Sequence, residues 1–215
     1  MKKAIVGTVL ALGCAFIASP ALADEVEVAY KTFYSHVKKL DNEDTQALQF
    51  AFGFTYVQNG KLCHINSARI STEKKQMPLK VSKEQRFTIQ SEKALNLANA
   101  KVVIDFKEQS NQCDISVQLE TKPEYLKENY TFEELSFLYQ QYEAFFNEMG
   151  SFLSFMMPNV SGLMFQFEDT NLSEATKTGE RVSEGTLMLN DEWFENERDL
   201  RLQRKPLRIT AIATK

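Results

Sequence analysis

The sequence predicts an α+β fold: an antiparallel β-sheet with one long amphipathic helix, about residues 131–157, and a short N-terminal helix packed on it. Three observations lead there. Up to Glu120 the apolar residues mostly alternate with polar ones, the period of strands with one covered face. From Thr131 the apolar residues step by three and four, the period of a helix. Beyond Pro158 short alternating runs return, and strands, then a helix, then strands is the order of an α+β domain.

The chain opens MKKAIVGTVLALGCAFIASPALADE. Lys2 and Lys3 are followed by an apolar run to Ile17 and by Ala21-Leu22-Ala23, a small-x-small cleavage signal. This is the layout of a secretory signal peptide over residues 1–23, with cleavage after Ala23, a periplasmic destination and one globular domain over residues 24–215. Lipidation at Cys14 is the competing reading. It is disfavoured because Ala11 stands where a branched residue is expected and the apolar run continues past the cysteine.

Within the exported part, Tyr30, Phe33, Val37 and Leu40 recur at helical spacing with lysines opposite, which gives the short first helix. Phe50–Gln58 and Lys61–Ser71 flank Asn59-Gly60, a pair that accepts the positive φ of a tight hairpin turn. These two runs are therefore expected to pair antiparallel. Leu79 with Val81, and Phe87 with Ile89, mark two short strands. Val102, Ile104 and Phe106 share one face of the next strand. Cys113, Ile115, Val117 and Leu119 share the apolar face of a further one, and these two strands are expected to form a hairpin.

Thr131 with Glu134 is a capping box, and Tyr130 with Leu135 is placed as a hydrophobic staple. Leu135, Leu138, Tyr142, Phe145, Met149, Phe152 and Met156 form one row, with Phe132, Tyr139, Phe146 and Leu153 beside it. Gln140, Gln141, Glu143 and Glu148 fall on the opposite, polar face. Pro158 disfavours helix in the residue before it, so the helix is expected to end near Met157. Gly162–Glu168, Gly185–Asn190, Leu200–Gln203 and Leu207–Ala213 are the closing strands. Met149–Phe167 holds no charge, but Pro158-Asn159 breaks it, so it reads as core rather than a transmembrane span.

Cys63 and Cys113 remain after cleavage, and an even pair in an exported chain is expected to form a disulfide. With 25 lysines and arginines against 29 acids, the net charge of −4 argues against sequence-independent nucleic-acid binding. Residues 61–93 nevertheless carry an excess of bases, and residues 168–199 an excess of acids that the basic last strand can pair.

Catalytic motifs are missing: there is no His-Glu-x-x-His, Gly-x-Ser-x-Gly or glycine-rich phosphate loop, and the only histidines are His36 and His64. No catalytic residue, cofactor or metal ligand is assigned. The binding candidates are Trp193, Asp191 and Glu195, where the only tryptophan stands among Asp191, Glu192, Glu195, Glu197 and Asp199. One reading puts a sugar ring on Trp193 with acids on its hydroxyls; the other makes this a solvated turn anchored by Trp193 and Phe194 packing inward.

The stretches YSHVKKL, GKLCHINSA, MPLKV, NQCDISVQ and SFLSFMMPNVSGLMFQF together resemble a family of small exported Gram-negative bacterial proteins, domain of unknown function 2987. The resemblance implies export and a single domain; it brings no activity and no site residue. The expected function is a non-enzymatic binding or interaction protein of the cell envelope. Its partner would be an unknown envelope protein, polymer or lipid. The alternatives are a lipid- or membrane-contacting protein using the Phe145–Phe167 region and a carboxylate-dependent hydrolase of envelope polymers.

Overall fold

The computed structural model describes residues 24–107, 110–150 and 159–214. Strand β1 (Asp24–Ala29) opens it; the alternation of Glu25, Val26, Glu27 and Val28 is a strand pattern overlooked in the sequence. Helix α1 (Tyr30–Val37) follows as expected and buries Tyr30, Phe33 and Val37. Strand β2 (Leu48–Tyr56) presents Phe50, Phe52 and Phe54 to the core, where Phe33 meets Phe52 edge-on at 5.0 Å between ring centroids.

Strands β3 (Ile65–Ser71), β4 (Gln76–Leu79) and β5 (Phe87–Thr88), the short helix α2 (Lys93–Leu97), and strands β6 (Lys101–Phe106) and β7 (Cys113–Thr121) come next. Asn59-Gly60 does turn the chain, with Gly60 at φ 67 and the Tyr56 N–H donating to Lys61 O at 2.8 Å. The expected partner is wrong, however. Beyond the Thr55–Leu62 bridge the chain leaves β2, and β3 pairs with β4 and β6. Both edges of β2 are already occupied, one by β5 and the other by β7, from Leu48 opposite Thr121 to Tyr56 opposite Cys113.

The expected β6–β7 hairpin is corrected for the same reason, since β6 lies between β1 and β3 in the order β1-β6-β3-β4. The apolar face of β7 is also less covered than its alternation implies. Ile115 is 40% and Val117 38% exposed, because β7 is the outer strand of the three-stranded sheet β5-β2-β7.

Strand β8 (Asn129–Tyr130) leads into the long helix α3 (Phe132–Gly150). The capping box forms: the Glu134 N–H donates to Thr131 Oγ1 at 3.4 Å and the Thr131 N–H to Glu134 Oε2 at 3.0 Å. Leu135, Leu138, Tyr142 and Phe145 are buried as expected, whereas Met149 is 41% exposed. The expected continuation to Met157, with Phe152 and Met156, falls outside the described residues.

Gln141 corrects the polar face of α3, for it is buried at 5% exposure. Its Oε1 accepts from the Ala47 N–H at 2.9 Å and its Nε2 donates to Glu43 O at 3.3 Å, so it serves backbone groups that no ladder reaches. Gln141→Ala should therefore cost about 1–3 kcal/mol. Gln140→Ala, on the exposed face, should cost nothing measurable, and the urea midpoints of the two variants decide it.

The chain closes with β9 (Asn159–Gln166), β10 (Glu174–Ala175), β11 (Arg181–Val182), β12 (Thr186–Asn190), helix α4 (Asp191–Phe194), β13 (Leu200–Arg201) and β14 (Arg208–Thr214). Strand β9 is central in the sheet β12-β9-β14, while β13-β8 and β10-β11 form two-stranded pairs; every pairing among the described residues is antiparallel. Val160, Leu163, Phe165 and Phe167 are buried, so the second half of the uncharged run is core.

The chain is thus α+β, with several antiparallel sheets in place of the single expected sheet. One hydrophobic cluster runs from Tyr30 to Ile209. The buried Tyr142 hydroxyl ties α3 to two sheets, donating to Ile209 O at 2.7 Å and lying 3.0 Å from Thr121 Oγ1. No helix among the described residues is long and apolar enough to cross a membrane.

Candidate functional site

A concavity lies on the side of β2 facing away from the aromatic core. Gly53 gives room for it: a Cβ there would stand 3.0 Å from Gln85 O and 3.3 Å from Arg86 Cγ, so the segment 82–86 would have to give by a few tenths of an ångström to lie against the strand. That segment is a tight turn. The Ser82 N–H donates to Arg86 O at 2.7 Å, the Gln85 N–H to Ser82 O at 3.0 Å, and Gln85 takes φ 60. The Ile65 N–H, donating to Gln85 Oε1 at 2.7 Å, pins the turn to the neighbouring sheet.

The turn thereby delivers Glu84 and Arg86 to the polar side chains of β2 and β7. Arg86 Nη1 donates to Ala51 O and Nη2 to Ser116 Oγ, each at 3.3 Å. The first residue of β14 supplies a second guanidinium. Arg208 is buried at 8% exposure, and its Nη1 donates to Gln118 Oε1 at 2.8 Å. Glu84 lies 3.3 Å and Glu120 3.7 Å from it, and Glu120 accepts from Gln49 Nε2 at 3.0 Å. Burial, and after it the charge of Arg208, hold Arg86 below the usual arginine range.

Two arginines and two glutamates therefore line a cleft of about 250 Å³, with Lys80 and Ser82 also lining it. A second cleft of about 390 Å³ shares Gln49 and Thr88 with the first and reaches Asp41, Ser91 and Lys122. The two adjoin at Gln49 and Thr88, the second reaching round to Val37, Leu48 and Phe50 on the aromatic side of β2.

The residues singled out in the sequence lie elsewhere. Trp193 is buried at 8% exposure, its indole N–H donates to Glu180 Oε1 at 3.1 Å, and its ring meets Phe194 edge-on at 5.2 Å. The indole is therefore packed inward, and its face is not presented to a sugar. Asn190 caps α4 by accepting from the Trp193 N–H at 3.1 Å. Asp191 and Glu195 do come together, along a shallow cleft with Tyr139 and Glu143. The Tyr139 hydroxyl lies 2.9 Å from Asp191 Oδ1 and 3.0 Å from Val160 O. Burial, and then Asp191, raise the Glu143 carboxyl, while burial and the Asp191 hydrogen bond raise the Tyr139 phenol. Asp199 instead accepts from the Phe132 N–H at 3.2 Å and helps to cap α3.

Of the histidines, His36 packs edge-on against Phe50 and Phe52, which, with Lys39, lowers its pKa through burial first; His64 is exposed. No group of three or more His, Cys, Asp or Glu side chains among the described residues is arranged to hold a metal ion. The Cys63–Cys113 disulfide is formed, with Cα atoms 6.3 Å apart and Cys63 fully buried.

The arginines of the groove carried no motif. Their faint signals were the excess of bases in residues 61–93, which includes Arg86, and a lone arginine at the head of the apolar run ITAIA. Neither the curated proteins nor the solved structures contain a match to this chain. A family profile matches residues 22–167, which takes in Gln49, Glu84, Arg86 and Glu120 and ends before Arg208. Since that is more than half of the sequence, the chain belongs to the family described as proteins of unknown function, DUF2987.

Proposed function

We propose that the chain is an exported protein of the cell envelope, one domain over residues 24–215 behind a cleaved leader, that holds a small ligand in the groove along β2 and β5 without turning it over. The groove itself carries the reading. Its two clefts share Gln49 and Thr88, and its polar side chains are held in place by the fold: Gln49 on Glu120, Arg86 on Ala51 O and Ser116, Arg208 on Gln118. Concave sites with a few fixed polar groups are what small-molecule recognition needs. Export is supported by the basic-apolar-small leader and by the disulfide, a bond that persists in oxidising compartments.

Expression from the full sequence in a Gram-negative host tests both parts. The protein recovered from the periplasm should have a mass that begins at Asp24. Native mass spectrometry of that material should show a small-molecule adduct, released with its mass unchanged after incubation. Thr88→Trp, which fills the junction of the two clefts, should remove the adduct while leaving the circular dichroism spectrum unaltered. Full-length protein confined to the cytoplasm would refute export. An adduct that survives Thr88→Trp, or none in either protein, would refute the groove.

A further inference from the structure

We propose that the Arg86–Arg208 end of the groove receives a carboxylate carried by the ligand, which takes the position now held by Glu84; the proposal rests on the groove being the binding site. A guanidinium offers five N–H donors in a planar fork that matches a carboxylate. Arg208 directs one of its nitrogens to Gln118 at 2.8 Å, and its two acidic neighbours stand off at 3.3 and 3.7 Å. Among the described residues Arg86 donates two hydrogen bonds, both long at 3.3 Å, to Ala51 O and Ser116 Oγ. Both forks therefore keep donor capacity that a well-placed anion would use.

The two acids are not equivalent. Glu120 belongs to β7, its side chain is 14% exposed, and Gln49 holds it at 3.0 Å. Glu84 belongs to the turn, its side chain is 29% exposed, and rotation about its own bonds carries it off Arg208 without moving the backbone. Glu84 is the outer, exchangeable carboxylate, a resident stand-in for the group that arrives.

Charge selects the class of that group. Around Arg208 two guanidiniums and two carboxylates balance, with Lys80 exposed to water at the rim, and a ligand carboxylate replacing that of Glu84 preserves the balance at the buried guanidinium. A phosphate dianion would add negative charge beside Glu120 in a place that water screens poorly. The cleft of about 250 Å³ at this end suits the terminal group of a small acid whose body extends past Gln49 and Thr88.

The test is an NMR titration of the purified protein with trialanine, its C-terminal amide and inorganic phosphate, followed at the amides of Ala51, Thr88 and Gln118. Trialanine should shift these amides at millimolar concentration, and the amide and phosphate should bind about tenfold more weakly or worse, the loss of one charge-assisted contact. Glu84→Gln, which keeps the shape and removes the competing charge, should tighten trialanine severalfold; Arg86→Gln should weaken it.

Equal affinity for trialanine and its amide, equal affinity for phosphate, or an unchanged affinity in Glu84→Gln would overturn the carboxylate site. In the first case, shifts at Thr88 by both peptides would leave the groove itself standing. No shift by any probe, in wild type or in Glu84→Gln, would overturn the carboxylate site as well. Because Arg86 also ties the turn to Ala51 O and Ser116 Oγ, Glu84→Gln is the deciding variant.

Discussion

Replacing Cys63 and Cys113 together by alanine should lower the stability of the protein by about 4 kcal/mol, the chain-entropy value for a closed loop of this size. The two cysteines are 50 residues apart in sequence, so the bond removes much of the freedom of the unfolded chain. The native state has little to lose beyond the bond itself, because other contacts already hold the cysteines close. Cys113 lies opposite Tyr56 in the β2–β7 ladder, the Cys63 N–H donates to Phe54 O at 2.8 Å, and the Val57 N–H donates to Gln112 O at 3.0 Å. Urea unfolding of the double variant, beside the oxidised parent, measures the difference. A loss below about 1 kcal/mol would mean that the reduced unfolded chain is already held compact near residues 63 and 113. Against a total of about 5–15 kcal/mol for a typical domain, a loss of the predicted size is large. The protein should therefore tolerate core mutations far less well under reducing conditions.

The position of that bond explains which parts of the fold were legible. Alternation states which face of a strand is covered, and it did so correctly for Val102, Ile104 and Phe106 on β6, though not for Ile115 and Val117 on β7. Alternation says nothing of which edge meets which. The Asn59-Gly60 turn suggested that β2 and the next run pair, but β7 offers β2 a nine-residue register while the return strand is drawn off to β6. Local signals with a local mechanism fared better. The capping box at Thr131 and Glu134 forms because both partners lie within one turn, and nothing distant can alter that.

Gln141 failed in the opposite sense. Its place on the helix follows the period, yet the unpaired Ala47 N–H drew it inward, and no helical pattern encodes a demand made by another segment. The groove is the same case on a larger scale. Arg86, Glu120 and Arg208 come from a turn, an edge strand and the last strand, and each alone reads as an ordinary surface charge. Trp193 attracted attention as the only tryptophan among acids, but Glu180 and Phe194 account for it as a packing residue. Residue type marks a candidate, and only tertiary contact decides between a site and a core. The family match shows the same division, since it covers Arg86 but not the Arg208 that completes the pair.

Gly162→Ala should be the most damaging glycine-to-alanine change among the described residues, costing about 4 kcal/mol or more. Two independent penalties combine there. At φ 148, Gly162 occupies a region that residues with a Cβ rarely enter, which costs about 1–3 kcal/mol. A Cβ would also stand 2.2 Å from Leu189 O and 2.9 Å from Asn190 Cα, contacts with backbone that no side-chain rotation relieves. Retreat is blocked on the other edge, because Gly162 sits in the central strand opposite Ile212, where the register of β14 shifts. Moving β9 off β12 would open the sheet beside Leu163 and Leu189, both fully buried. Gly60→Ala is the control, since its φ of 67 is also positive but nothing lies within 4 Å of the added carbon. It should cost only about 1 kcal/mol, the backbone penalty alone. Urea midpoints of the two variants separate the causes. If they fall by the same amount, the clash at Leu189 has been relieved by backbone movement, and the strand pairing at Gly162 is softer than its geometry implies.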